Sequence, residues 1–185
     1  LGLLATRGWY ASFFFFLGGM KNNLVVVGDI YRFDLSSPSV VNRLTEVNND
    51  VLDGINLGEV EEIWYEAPDG VRVQGWYMTP PDFDATKTYP LQLHIHGGPH
   101  AMYGAQFKYS WHEHAANDYV ILFTNPRGSS GYGSKFGNLI ADAYPGPDYQ
   151  DLMAGVGNIG ELAHPARLQL VVKFIGPIAR HAFLR

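Results

Sequence analysis

The residues of this 185-residue chain best suited to chemistry lie in one stretch, Leu91–Gly104, which reads LQLHIHGGPHAMYG. Its opening, Leu91 to Ile95, has the length and apolar character of a buried strand. At Gly97-Gly98-Pro99 the chain can continue neither as strand nor as helix. A strand that ends in His-Gly-Gly-Pro offers backbone N–H groups with no Cβ in the way, so a ligand oxygen can approach closely. Donors placed in this way suit the oxyanion of an acyl-transfer intermediate. The same letters also describe a strand followed by a tight glycine turn, and His-Gly-Gly alone does not separate the two readings.

The histidines of the stretch suggest a second chemistry. Residues i and i+2 of a strand share a face, so His94 and His96 could point at one zinc ion, with His100 nearby. A metallo-β-lactamase type of site needs H-x-H-x-D-H, and Gly98 and Pro99 stand where the Asp and the third His belong. His112 and His114 fall on different faces of a helix and make no second pair. A metal-dependent hydrolase using His94, His96 and His100 is therefore an alternative, and the expected reading is a protein without metal or cofactor.

A third candidate is Arg127–Lys135, RGSSGYGSK. A phosphate loop needs G-x-x-x-x-G-K-[ST], but Ser134 precedes Lys135. A dinucleotide fingerprint needs glycine at Phe136, and a nucleophile elbow around Ser130 needs glycine at Tyr132. Each pattern fails by one residue, which leaves a glycine-rich connection after a strand.

The elements that must position these residues follow from the rest of the chain. With 46% hydrophobic and 14% aromatic residues the composition is that of a packed protein. A net charge of −5 gives no basic footprint, so no nucleic-acid partner is expected. There is no cysteine, hence no disulfide framework and no thiolate metal site. Leu1–Leu17 is apolar but carries Arg7 and several glycines, and falls short of the roughly 20 residues of a membrane span. Trp9–Leu17 reads instead as a buried strand, and no membrane association is expected. Leu1 in place of methionine is expected to mark an incomplete N-terminus. The lack of cysteine and of a convincing leader favours a cytoplasmic location.

The first fifty residues read as β-structure: Phe13–Leu17, Leu24–Val27 and Tyr31–Leu35, the last closed by Ser36-Ser37-Pro38. Such spacing suggests a sandwich or a propeller blade. From Gly58 the pattern changes. Val60–Glu66 and Val71–Met78 flank Pro68-Asp69-Gly70, a hairpin turn by its residues. After Leu91–Ile95, residues Phe107, Trp111 and Ala115 recur at helical spacing within Gln106–Asn117. Tyr119–Thr124 is a second short apolar run. Strand, helix and strand of these lengths predict a βαβ unit with parallel strands. Helices are predicted near Ser134–Ala143 and from about Asp148, whose carboxylate suits a helix N-terminus.

Taken together, these segments resemble the prolyl oligopeptidase clan of serine peptidases, on its acylaminoacyl-peptidase and dipeptidyl-peptidase side. The resemblance runs from Leu57 to Val156: LGEVEEIWYEAPDGVRVQGWYMTPPDF, YPLQLHIHGGPHAMYG, DYVILFTNPRGSSGYGSKFGN and DYQDLMAGV. The conjunction of HGGPHAMYG with NPRGSSGYG is specific. It implies an α/β fold: the last blade of a β-propeller over residues 1–50, then the N-terminal half of an α/β-hydrolase domain over residues 51–157. Residues 158–185 form a divergent tail. The implied activity is hydrolysis of peptide bonds near the N-terminus of short peptides, with a peptide as substrate partner. The backbone N–H of Gly98, with Gly97 as second choice, would face the tetrahedral intermediate, while His96, Pro99 and Arg127 shape the loops. The family's nucleophile lies in a G-x-S-x-G elbow shortly after the DYQDLMAGV helix. Here no serine follows Ser134, so no catalytic residue is assigned. The chain is expected to be an inactive fragment ending before the catalytic serine; a non-catalytic binding or scaffold fragment would use the same residues. Loss of the nucleophile strand is expected to leave an open sheet edge, although Leu168–Ile175 is apolar enough to pair there. Oligomeric state and side-chain preference are not legible.

Overall fold

Short, continuous apolar runs and an antiparallel hairpin build the sheet on which the candidate residues sit. In the computed structural model, residues 20–21, 29–34, 37–104, 106–162 and 168–174 are described. The chain divides into two units, one within residues 1–55 plus 105–107, the other within 56–104 and 108–185. The expected strands at Trp9–Leu17 and Leu24–Val27 lie outside the described residues.

The first unit contains an antiparallel sheet in the order β1-β2-β3: β1 (Met20–Lys21), β2 (Asp29–Asp34) and β3 (Ser37–Arg43). β2 stops at Asp34, ahead of Ser36-Ser37-Pro38 as the sequence predicts, and Ser37-Pro38 also opens β3, a strand the sequence reading does not include. Proline lacks a ladder donor but is tolerated at the start of an edge strand, and β3 is an edge. Buried Asp29 ties β2 to the segment that follows β3. Its carboxylate takes the Arg43 guanidinium, the Thr45 hydroxyl at 2.9 Å and the Val47 N–H at 3.1 Å. A short helix, α1 (Asn49–Leu52), follows.

The second unit is a five-stranded mixed sheet in the order β4-β5-β7-β6-β8. The hairpin of β4 (Val60–Glu66) and β5 (Arg72–Met78) is antiparallel, from Val60↔Met78 to Glu66↔Arg72. Its turn closes with Gly70 N–H donating to the Ala67 carbonyl at 2.8 Å. β5 pairs antiparallel with β7 (Val120–Asn125), and β7 pairs in parallel with β6 (Tyr89–Ile95), from Leu91↔Val120 to His94↔Phe123. The predicted parallel neighbours are thus adjacent. The connecting helix, α2 (Tyr109–Ala116), packs on β7 and buries Trp111 and Ala115. It is shorter than Gln106–Asn117: Lys108 is still extended (φ −131°, ψ 106°), so half-buried Phe107 precedes the helix.

All six residues of β7 are buried, as expected of a central strand covered on both faces. Trp111 and Tyr103 cover one face, against Phe123, which also stacks on Trp76 at 5.6 Å. On the other face Ile63, Tyr65, Val73, Leu91, Leu93, Val120 and Leu122 form the core with Leu152 and Ile159 of α4 (Pro147–Leu162). A Cβ on Gly155 would lie 2.7 Å from Tyr65 Oη, so glycine is what lets α4 rest against β4. The predicted helix at Ser134–Ala143 is the shorter α3 (Gly133–Asn138). β8 (Leu168–Phe174) lies parallel to β6 from Tyr89↔Leu168 to Ile95↔Phe174. The expected open edge beside β6 is therefore covered, because the residues LQLVVKF are strand formers long enough to pair along all of β6. No helix among the described residues is long and apolar enough to cross a membrane.

Candidate active site

Parallel strands bring their following loops to one end of a sheet, where ligands of open α/β sheets bind. The loop after β6 carries His96-Gly97-Gly98-Pro99, and the loop after β7 carries Pro126-Arg127-Gly128-Ser129-Ser130. The two segments, about thirty positions apart in sequence, are joined by four hydrogen bonds. His96 Nε2 lies 3.0 Å from Ser129 Oγ, and His100 Nδ1 lies 3.0 Å from the Gly128 carbonyl. Ser130 donates its N–H to Ala101 O at 3.0 Å and its hydroxyl to His100 O at 2.8 Å.

Gly97 and Gly98 are exposed at the head of the first loop. Among the described residues no acceptor takes the N–H of either. Gly98 has φ +132°, and a Cβ there would meet Ala101 and His100 at 3.1–3.2 Å; at Gly97 a Cβ would meet nothing within 4 Å. With Pro99 they border a cleft of about 40 Å³, lined also by Ile140, Tyr144 and Leu152.

The second loop is anchored from beneath. Arg127 is buried, and its Nε and Nη2 donate to Asp151 of α4 at 2.9 and 2.7 Å. Its Nη1 and Nη2 donate to Asp69 in the β4–β5 turn at 2.7 and 2.8 Å. Its backbone N–H also reaches Asp151 at 2.8 Å. Asp151 has no solvent exposure. These carboxylates, Asp151 first, raise the Arg127 pKa further, and the guanidinium in turn pulls Asp69 down to about 2. Asn125, at the end of β7, fixes Tyr103 by accepting from its N–H at 2.7 Å and donating to its carbonyl at 2.9 Å. The Tyr103 ring stands edge-on to His96 at 5.1 Å and carries the Lys108 ammonium over its face at 4.7 Å.

The three histidines singled out by their spacing are engaged in three different places. Trp111 Nε1–H donates to His94 Nδ1 at 3.2 Å, so the proton of this buried ring sits on Nε2, facing Gln92 Oε1 at 3.3 Å. His96 and His100 bond the second loop. Among the described residues no three His, Asp or Glu side chains converge on a cation position. Sequence reasoning missed Asp69, Asp151, Ser129 and Asn125. A legible signal existed for two of them: Asp151 lies beside Leu152 on the apolar face of α4, and Asn125 closes an apolar strand.

The sequence profile of the prolyl oligopeptidase family matches residues 104–167. The chain is 43% identical over 114 residues to the uncharacterized peptidase YuxL of Bacillus subtilis, covering 62% of this chain and 17% of that protein. It is 32% identical over 152 residues to dipeptidyl-peptidase 5 of Trichophyton equinum, covering 77% of this chain and 20% of that one. The chain thus spans about a fifth of the length of these curated relatives. Among solved structures, acylaminoacyl peptidase of Pyrococcus horikoshii superposes with a TM-score of 0.75 at 26% identity, over 85% of this chain and 25% of that one. With the fold, the paired loops and these likenesses in agreement, the chain belongs to the prolyl oligopeptidase family of serine peptidases, with an α/β-hydrolase type of sheet.

Proposed function

We propose that this chain supplies the oxyanion side of a serine-peptidase acyl-transfer site and that its 185 residues alone hydrolyse nothing. The observation that carries the first half is the pair of N–H groups at Gly97 and Gly98, exposed at the carboxyl end of β6 and unclaimed among the described residues. Gly98 is the first donor and Gly97 the second choice. His96, Pro99 and Arg127 act on the loops, not on the substrate. Such a donor contributes roughly 3–4 kcal/mol to transition-state stabilisation, but only once a nucleophile has attacked.

The second half rests on the letters. The chain holds no G-x-S-x-G and no serine beyond Ser134. β8 follows α4 and runs parallel to β6, with Phe174 level with Ile95. Its carboxyl end therefore meets the same sheet end as the Gly97–Gly98 loop, and the sequence that follows, IGPIARHAFLR, offers no hydroxyl nucleophile. Oxyanion donors without Ser, His and Asp polarise a carbonyl but do not attack it.

The substrate class is a peptide cut near its N-terminus. This is supported by the names of the relatives and by an acylaminoacyl peptidase, 26% identical in sequence, solved with Z-Gly-Gly-Phe-chloromethyl ketone. Residues 1–50 belong to the end of a propeller and 51–157 to the first half of the hydrolase domain, a division supported by the antiparallel sheet β1-β2-β3. The test is a fluorophosphonate probe on the purified chain, with turnover of short peptide anilides followed in parallel. No labelling and no turnover are expected. Stoichiometric labelling of a serine overturns the proposal.

A further inference from the structure

Beside the glycine loop, two aromatic rings hold a cation in place. Lys108, the residue before α2, lays its ammonium 4.7 Å from the centre of the Tyr103 ring and 4.4 Å from that of Trp111. Both rings are buried, and the lysine itself is half-buried. Among the described residues its ammonium meets no carboxylate and no hydrogen-bond acceptor, Glu113 of α2 included. The contrast with the frame is direct: Arg127 is matched by Asp69 and Asp151, and Arg43 in the first unit by Asp29.

The rings serve Lys108 on one side only. The face of an aromatic ring attracts a cation. Tyr103 and Trp111 thus fix where the ammonium sits and spare a later partner much of the rotamer entropy of a loose lysine side chain. Burial also lowers the Lys108 pKa below the ordinary lysine value. An ammonium in that state has given up part of its water, and an arriving anion supplies what the water did.

The ammonium is within reach of the open donors. The Tyr103 ring stands 5.1 Å from that of His96, so the Lys108 charge lies no more than about 10 Å from the residue that precedes Gly97. An extended peptide advances about 3.3–3.6 Å per residue. A chain whose carbonyl oxygen sits at Gly98 therefore brings a group a few residues away up to Lys108. In a short peptide cut near its N-terminus, that group is the C-terminal carboxylate. We propose that Lys108 is a specificity-determining residue: its ammonium, held by Tyr103 and Trp111, takes the C-terminal carboxylate of a short peptide bound at the Gly97–Gly98 donors. This rests on the reading of those donors as the oxyanion side of a peptidase site, and adds to it the class of peptide favoured, one short enough for its end to reach the lysine.

The experiment is an NMR titration of the full chain, labelled with nitrogen-15 in the backbone and carbon-13 in lysine, with three acetylated tetra-alanine peptides. One ends in a free carboxylate, one in a carboxamide, and one in a carboxamide with glutamate as its last residue. The free acid should move the Gly98 amide and the Lys108 Cε signal along one binding curve. It should bind about three- to fivefold more tightly than the carboxamide, the range of a solvent-screened ion pair. Salt raised from about 0.05 to about 0.5 M should remove most of that difference. Lys108→Met keeps an unbranched stem without the charge and should bring the acid down to the affinity of the carboxamide, while Lys108→Arg should restore part of the gap. Equal affinity for acid and carboxamide in the unmodified chain overturns the proposal, as does a Lys108→Met that weakens both peptides alike, the mark of a merely structural lysine. A glutamate peptide that binds as tightly as the free acid makes an acidic side chain the partner and overturns the preference for short peptides. The comparison of acid with carboxamide needs no variant, so it decides the matter if Lys108→Met fails to fold. The two readings fail separately. A Lys108 response with none at Gly98 keeps the carboxylate site and removes the oxyanion donor; a Gly98 response equal for acid and carboxamide does the reverse.

Discussion

The loops at the ends of β6 and β7 are built from the same kinds of residue, glycine, proline, serine and histidine or arginine, yet are held in opposite ways. In the loop after β7 the donors are spent. Arg127 N–H goes to Asp151, Gly128 N–H to Phe136 O, Ser129 N–H and hydroxyl to Pro126 O, and Ser130 N–H to Ala101 O. In the loop after β6 the N–H groups of Gly97 and Gly98 are kept back, and order comes from outside, through His96, His100 and the second loop. A donor left open at an exposed position costs little, because water satisfies it until a ligand arrives. One loop is therefore the frame, and the other is the surface that the frame presents.

The largest test of this contrast is removal of the frame's anchor. Arg127→Ala leaves Asp151 as a buried carboxylate with no counter-charge, and a loss of about 3–5 kcal/mol is expected in a denaturant melt. Arg127→Lys should recover little, because one ammonium cannot reproduce a fork that serves two carboxylates. The bonds from Gly128, Ser129 and Ser130 to the first loop should loosen together, visible as faster amide exchange at Ser130. A loss below about 1 kcal/mol, the size of an exposed pair, would mean that the ion cluster does not hold the second loop.

A smaller effect is expected within the presented loop itself. Gly98→Ala forces a side chain onto φ +132° and against Ala101 and His100 at 3.1–3.2 Å. Strain of this kind costs about 1–3 kcal/mol. Gly97→Ala meets nothing within 4 Å and should stay within about 0.5 kcal/mol of the parent. Equal losses at the two positions would erase the distinction between a glycine required by the backbone and one that only keeps space open for a ligand.

What the sequence discloses about these regions follows from how local each feature is. The hairpin at Pro68-Asp69-Gly70 and the strands β6 and β7 are set by turn residues and by continuous apolar runs, and are legible. The start of α2 was not, because Phe107 fits the helical spacing while the chain stays extended through Lys108, whose ammonium lies over Tyr103 and Trp111. β3 is not legible, because the edge position that tolerates Pro38 is a property of the sheet. At the site, His-Gly-Gly-Pro announces its free donors locally. The partners of Arg127 lie 58 and 24 positions away, and Ser129 lies 33 from His96. Nothing in the spacing of letters encodes those pairings.

Acid should separate the two loops without any substitution. In the loop after β6, burial holds His96 below the usual histidine pKa, so it gains its second proton only in mild acid. In the frame, the hydrogen bonds from Arg127 hold Asp69 at about 2, against an ordinary value of 3.8. A carboxylate depressed on folding contributes stability that is present above its unfolded pKa and lost as the pH falls toward the folded one. The Asp69 contribution is therefore intact above about pH 4 and disappears between there and about pH 2, well after His96 has titrated. The group is half-exposed, so solvent screens the pair and the effect is the smallest of the three. The measurement is the melting temperature against pH for the parent and for Asp69→Asn. The parent should lose melting temperature more steeply than the variant across that window, and the two curves should run parallel from pH 5 to 7. Parallel curves through the acid window as well would mean that Asp69 is a passive neighbour of Arg127 and that Asp151 alone holds the frame.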